Sequence, residues 1–231
     1  MNIEEIYKLV EHVKNPKEET NPNFLPICND SGHNVGYLKP ITTEVITSSD
    51  IVALLTKWRS MFKKFFLTQF NPSEERTQKW LEEVVIPSKD RILFIICTDN
   101  GKPIGNFGLC NINPNSFELD NLIRGEKGGE PQLIYYAEIS LLRWAFLKFN
   151  AENAVLHVFS NNSKTIALHQ RVGFEVIKQL YLRKEVSSEN SIIYQITENT
   201  SDRNVDFTYL EMSMSKNDFF FKYPIRDTEY L

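Results

Sequence analysis

Read from the N-terminus, the apolar positions of this chain fall first into helical spacing, then into strand alternation, then into helix and strand by turns. Ile3, Ile6, Val10 and Val13 recur at helical intervals and predict a short amphipathic helix laid on the main body. From Asn15 to Gly36 the chain turns to Asn, Pro, Asp and Gly with little periodicity, which predicts a loop or a small irregular extension. Weak alternation over Thr42–Ile46 predicts a first strand. Ser48, Ser49 and Asp50 offer N-caps for a helix through IVALLTKWRSMF. Pro72-Ser73-Glu74-Glu75 opens a second helix over Ser73–Val85, although Ser73 with Arg76 does not complete a capping box.

The middle of the chain speaks more clearly. RILFIICT is β-branched, aromatic and of strand length. Asp99-Asn100-Gly101-Lys102 supplies an Asn-Gly hairpin turn into KPIGNFGLCNI, where Gly105 and Gly108 leave one face open to a close neighbour. After the turn Asn113-Pro114-Asn115, FELDNLIR completes three antiparallel strands. A glycine turn at 125–129 then opens Gln132–Phe149, a helix apolar on most faces, as expected for one buried against a sheet. AVLHVFS reads as a strand, Asn162 as the N-cap of a helix over Ser163–Val172, and Gly173 as its C-cap. FEVIKQLYLRKEV and NVDFTYLEMSM are strands, and the polar stretch Ser187–Arg203 between them is an added hairpin or a loop. An antiparallel meander followed by strand–helix–strand–helix–strand predicts an α+β, mixed α/β domain.

Composition narrows the class. The 231 residues fit one domain with elaborations or two small ones, and 42% hydrophobic residues suffice for an ordinary core. No apolar run approaches the ~18 residues of a membrane span, and the N-terminus MNIEEIYKLVEHVKN lacks the continuous apolar stretch of a secretory signal. Cys28, Cys97 and Cys110 have no metal-ligand spacing, and their odd number argues against a closed disulfide set; reduced thiols in a cytoplasmic protein without a metal are expected. A formal charge of −4 gives no footprint for nucleic acid, but a local basic cluster could bind a phosphorylated small molecule.

Candidate chemistry concentrates between Arg124 and Phe174. In RGEKGG, Gly125, Gly128 and Gly129 let backbone N–H groups point one way, the helix dipole beyond Gly129 favours an anion, and Arg124 and Lys127 add charge. The bland reading of the same turn is a strand-to-helix connector. Glu118 and Asp120 sit two residues apart on one face of a strand. Their bland reading is a pair of edge carboxylates in water.

At this point the sequence resembles the GNAT-type N-acetyltransferase superfamily. In element order the resemblance covers about Thr42 to Val186, and it is specific over Arg124–Phe174. The family's Arg/Gln-x-x-Gly-x-Gly/Ala turn holds the coenzyme A pyrophosphate; RGEKGG matches it with the glycine spacing displaced by one. The family's second block, Asn-x-Arg/Lys-Ala-x-x-Leu-Tyr-x-Lys-x-Gly-Phe, is matched in order and spacing by Asn162 through Phe174. The resemblance implies a central, mostly antiparallel sheet, flanked by helices and splayed between the strand ending near Arg124 and the strand Ala154–Ser160. Acetyl-CoA would enter that opening against Leu122, Ile123, Arg124, Gly125, Lys127, Gly128, Gly129, Asn162 and Lys164. Backbone N–H groups beside Leu122–Arg124 would polarise the thioester carbonyl for direct attack by the amine.

The same resemblance puts Glu118 or Asp120 at the acceptor amine. It puts His169 where the family often has the tyrosine that protonates the departing thiolate, with Tyr135, Tyr136 or solvent as other donors. His169 can also be read as a packed helix residue. Trp58 and Arg59 would line the acceptor side, Arg59 pairing an anionic substrate; helical tryptophans such as Trp58 and Trp80 are otherwise core. His157 reads as packed, and His33 carries no assignment. The domain spans 41–231, with 1–40 an extension packed on it and an insertion near 187–203; either addition could shape the acceptor site or a homodimer contact. The wider pattern of WR, RILFII, GKPIG and ELDNLIRG looks like bacterial acetyltransferases encoded with surface-polysaccharide genes, which act on nucleotide-linked amino sugars. A protein N-terminus or a small amine is the rival acceptor. A catalytically silent acyl-CoA-binding module is the rival from another class. No nucleic acid or membrane partner is expected.

Overall fold

A computed structural model describes residues 1–15, 24–187 and 191–225. Helix α1 (Ile3–Lys14) begins at a complete capping box, in which Asn2 Oδ1 accepts from Glu5 N and Glu5 Oε2 accepts from Asn2 N. It buries Ile6, Val10 and Val13 in the core. Two strands follow, β1 (Leu25–Cys28) and β2 (Asn34–Pro40), where the sequence predicts a loop. The correction has a tertiary cause. Pro26, Gly36 and Pro40 carry poor strand propensity, but β2 pairs antiparallel with a fully buried strand further along, and that packing decides. Residues 16–23 of the expected loop lie outside the described residues. The strand expected at Thr42–Ile46 is a turn and a 3₁₀ turn at Val45–Thr47 instead, with Thr42 Oγ1 accepting from Val45 N.

Helix α2 (Ser49–Phe62) leads through β3 (Thr68–Gln69) to α3 (Glu74–Trp80), which Ser73 caps by accepting from Arg76 N. The chain continues through a π-helical turn, Leu81–Val85. The buried Lys14 ties that end to α1 by donating to the carbonyls of Val85, Ile86 and Ser88. The meander β4 (Ile92–Thr98), β5 (Pro103–Cys110) and β6 (Ser116–Arg124) forms as predicted. Then come α4 (Leu133–Phe149), β7 (Asn153–Phe159), α5 (Ser163–Val172) and β8 (Glu175–Val186). β9 (Ile192–Thr197) pairs with β8 as an added hairpin, and β10 (Tyr209–Ser215) precedes a short α6 (Lys216–Lys222) absent from the sequence reading.

The strands run in the order β1-β2-β4-β5-β6-β7-β10-β8-β9-β3, all pairs antiparallel except β6 with β7. Alternation along each strand divides the molecule. Ile92, Phe94 and Ile96 of β4 join a core with α1, α4 and α6, whereas Leu93, Ile95 and Cys97 face Val52, Leu55, Trp58 and Leu81 of the α2–α3 layer. This is a mixed α/β architecture with a large, mostly antiparallel sheet flanked by helices.

What positions a site is the one parallel pair. β6 and β7 stay in register only from Ser116–Asn153 to Leu119–Leu156, then part. Just beyond, β6 is bulged against β5: Asp120 faces Gly108 and Ile123 faces Asn106, so two residues oppose one. Asn121 takes the left-handed conformation there, with φ of 55°, and the buried Asn106 side chain donates to its carbonyl.

Candidate functional site

The parted strands open into a cavity of about 1290 Å³. β6 contributes one wall with Glu118 through Arg124, and β7 and α5 contribute the other with His157, Asn162, Lys164 and His169. Phe66 and Phe70 of the segment joining α2 to α3, Arg76 of α3 and Arg59 of α2 close the far end. Among the described residues no helix is long and apolar enough to cross a membrane, and no cluster of His, Cys, Asp or Glu could hold a metal ion.

The glycine turn serves the fold in ways its composition did not disclose. A Cβ on Gly125 would lie 2.0 Å from Trp58 Cδ1, so the turn closes directly over that indole. Gly125 N and Glu126 N both donate to Ile104 O, which takes the first N–H groups of the turn into the sheet. Arg124 bends back and donates to the carbonyls of Glu126 and Gly128. Lys57 and the Trp58 indole N–H both meet Glu126 Oε1 and pin the turn to α2. Gly125, Lys127, Gly128 and Gly129 therefore lie outside the cavity wall, whereas Leu122, Ile123 and Arg124 border it. Trp58 is fully buried and does not border the cavity, whereas Arg59, one residue on, does.

On the other wall, α5 starts with Asn162 making no side-chain cap bond, and both Asn162 and Lys164 border the cavity. His169 lies one turn before the end of α5, almost fully buried at the cavity edge. Its Nδ1 is 2.6 Å from Oε1 of Glu138, a carboxylate wholly buried in α4. Tyr135 Oη bonds Tyr223 Oη, and Tyr136 donates to Asp30; neither tyrosine borders the cavity.

Where the strands part, charged groups cluster on the α2–α3 face of the sheet. Glu118 Oε1 lies 2.7 Å from His157 Nδ1, and Asn111 donates to Glu118 Oε2 at 2.7 Å. Burial pushes the Glu118 carboxyl up, but His157, Asn111 and Arg91 outweigh it and hold it below the usual carboxylate range. Burial likewise works to lower His157, yet Glu118 and Glu211 outweigh it and raise the imidazole above its ordinary value. Asp120 is tied by Arg91 and Asn121, both bonding its Oδ2. Burial pushes the Cys97 and Cys110 thiols up, which disfavours thiolate nucleophiles at neutral pH.

The far end is basic and aromatic. The Arg59 guanidinium sits 3.3 Å from the Phe66 ring centroid and 5.6 Å from that of Phe70, and Arg76 stacks on Phe70 at 3.9 Å. Burial pulls Arg59 down to about 10, with Asp120 acting the other way, so it stays charged at neutral pH. Lys64 borders the same end. His157, Glu138, Arg76, Phe66 and Phe70 were missed by sequence reasoning. Only the alternation of AVLHVFS, which puts His157 on the face opposite Leu156 and Val158, could have signalled one of them.

A family model described as "Acetyltransferase (GNAT) domain" matches residues 41–175. No curated protein matches the chain. Among solved structures, a probable GNAT-family acetyltransferase from Chromobacterium violaceum superposes with a TM-score of 0.61 at 15% identity, covering 87% of this chain and 90% of that one. FdhC, described as a nucleotide-linked sugar GNAT, gives 0.57 at 15% identity, covering 82% and 93%. The spermidine N-acetyltransferase of Vibrio cholerae, in complex with CoA and spermine, gives 0.58 at 17%, covering 79% and 96%. These likenesses show a shared fold.

Proposed function

The chain belongs to the GNAT acetyltransferase family and is an acetyl-CoA-dependent N-acetyltransferase, and we propose that its acceptor is the amino group of a nucleotide-linked amino sugar. The residues on the cavity fit an acyl-CoA. The cleft lies between parted strands, the β6 bulge disturbs the ladder beside Leu122 and Ile123, and Arg124, Asn162 and Lys164 border one end. Acetyl-CoA supplies an activated acyl carbon there. Backbone N–H groups at Leu122–Arg124 polarise its carbonyl, and two reactants held in one cleft gain much of the rate by positioning. His169, backed by Glu138, gives the proton to the leaving thiolate. The amine's own proton leaves to the Glu118–His157 pair, while Asp120 holds Arg91 and the bulge in place. Residues 41–231 act as one domain and 1–40 as an extension packed on it, in the cytoplasm, where the acetylated sugar enters surface-polysaccharide assembly.

The acceptor assignment rests on one observation: the far end of the cavity joins Arg59, Lys64 and Arg76 to the rings of Phe66 and Phe70. Guanidinium forks suit phosphate oxygens, and flat rings suit a base. A polyamine would bring further positive charge to that end. A charged hydrogen bond of about 1.5–3 kcal/mol corresponds to roughly ten- to a hundredfold in binding. Arg59→Gln should therefore raise KM for a nucleotide-linked amino sugar by about that factor, and the exposed Arg76→Gln by less. Acetyl-CoA affinity, followed by calorimetry, should hold in both. Preference for spermine over nucleotide-linked sugars, or loss of coenzyme binding with Arg59, would contradict the assignment.

A further inference from the structure

We propose that His157 is the general base that takes the proton from the acceptor amine, and that Glu118 is the positioning residue that fixes its ring. The proposal rests on the acceptor amine reaching this end of the cavity. His157 is the first residue of β7 past the last β6–β7 pair, Leu119–Leu156, so its side chain stands where the strands separate and borders the cavity. A carboxylate only accepts hydrogen bonds, so the 2.7 Å contact with Glu118 Oε1 makes Nδ1 the donor. Asn111 occupies the other Glu118 oxygen. Glu118 is thus committed on both sides, and the uncommitted basic atom is Nε2 of His157. Its nearest partner, Glu211 Oε2, lies at 3.6 Å, beyond hydrogen-bond length. Tyr209 stacks on the ring, with centroids 5.3 Å apart and planes 18° from parallel, and sets its plane.

The arrangement has the logic of a carboxylate that orients an imidazole and supports its charged form. Glu118 and Asp120 face His157 from β6, with Arg91 held behind Asp120. Glu211, directly across in register, and Tyr209 face it from β10; Lys178 of β8 lies opposite Glu211 and is tied to Glu198. An ammonium group at this end of the cavity gives one proton to Nε2. The freed amine bonds to the acetyl carbon as the carbon–sulfur bond breaks. His169 gives its proton to the thiolate and takes up the second proton released on amide formation, and the proton on His157 returns to solvent, so the sum is amide, free thiol and one proton.

Two readouts decide. Long-range nitrogen–proton spectra of the histidine rings need no substrate. The neutral His157 ring is expected to be protonated on Nδ1, and Glu118→Gln should lower its titration midpoint; a neutral ring protonated on Nε2 overturns the proposal. In steady state with acetyl-CoA and a panel of nucleotide-linked amino sugars, His157→Gln should lower kcat by about 100- to 10,000-fold and leave KM for acetyl-CoA within about twofold. The wild-type rate should fall at low pH as His157 is protonated, and Glu118→Gln should move that limb to lower pH. An unchanged kcat in His157→Gln overturns the proposal. Absence of turnover with every sugar counts against the acceptor assignment, and the ring spectra still decide on His157.

Discussion

Glu138 is wholly buried in α4, with one oxygen on His169 Nδ1 and the other without a hydrogen-bond partner among the described residues. A buried carboxylate costs stability unless it is compensated, so one kept beside a cavity-edge imidazole points to positioning more than to packing. His169→Gln keeps a group that can bond Glu138 but removes the titratable proton. It should lower kcat by about a hundredfold or more while acetyl-CoA affinity holds. His169→Ala strands Glu138 and should in addition cost about 3–5 kcal/mol of stability, seen as a lower Tm. Equal turnover in wild type and His169→Gln would remove His169 from the chemistry. At this scale the sequence placed His169 on its helix because that residue sits inside a motif. It was not legible for Glu138, one charged letter in an apolar helix whose partner lies 31 positions away, nor for His157, whose partner lies 39 away.

Among elements, the glycine turn shows how a sequence signal can be sound while its cause is different. Gly125 is required because Trp58 stands beneath it, and the first N–H groups of the turn are spent on Ile104. Gly125→Ala should cost about 3 kcal/mol by overpacking, a fall in Tm of roughly 6–12 °C, with coenzyme affinity lowered only as the α4 start shifts. A wild-type Tm in that variant would contradict the contact. The long strands and α4 were readable because their periodicity is strong and their surroundings apolar. β1 and β2 were not, because Pro and Gly mask strands held by tertiary pairing, β2 with β4 and β1 with β2. The Asn162–Val172 helix was readable from its Asn start and Gly173 end, where Gly173 takes φ of 130°.

Over the whole molecule, a chain of net charge −4 gathers Arg59, Lys64, Arg76, Arg124 and Lys164 around one cavity. These basic groups outnumber Glu118 and Asp120 on the same lining, so the cavity favours a positive field that draws anionic reactants, in contrast to the protein's overall sign. The composition concealed this, because the basic residues come from four separate stretches of chain that only the fold assembles. The central claim joins that field to acetyl transfer. Its most direct test mixes the protein with acetyl-CoA and, in turn, nucleotide-linked amino sugars, spermine and peptides with free N-termini, and follows free thiol together with the mass of the acceptor. The account predicts thiol release matched by a gain of one acetyl group on a nucleotide-linked amino sugar, fading as salt screens the field. Acetylation of spermine or a peptide in preference to every nucleotide-linked sugar would contradict it, as would thiol release with none.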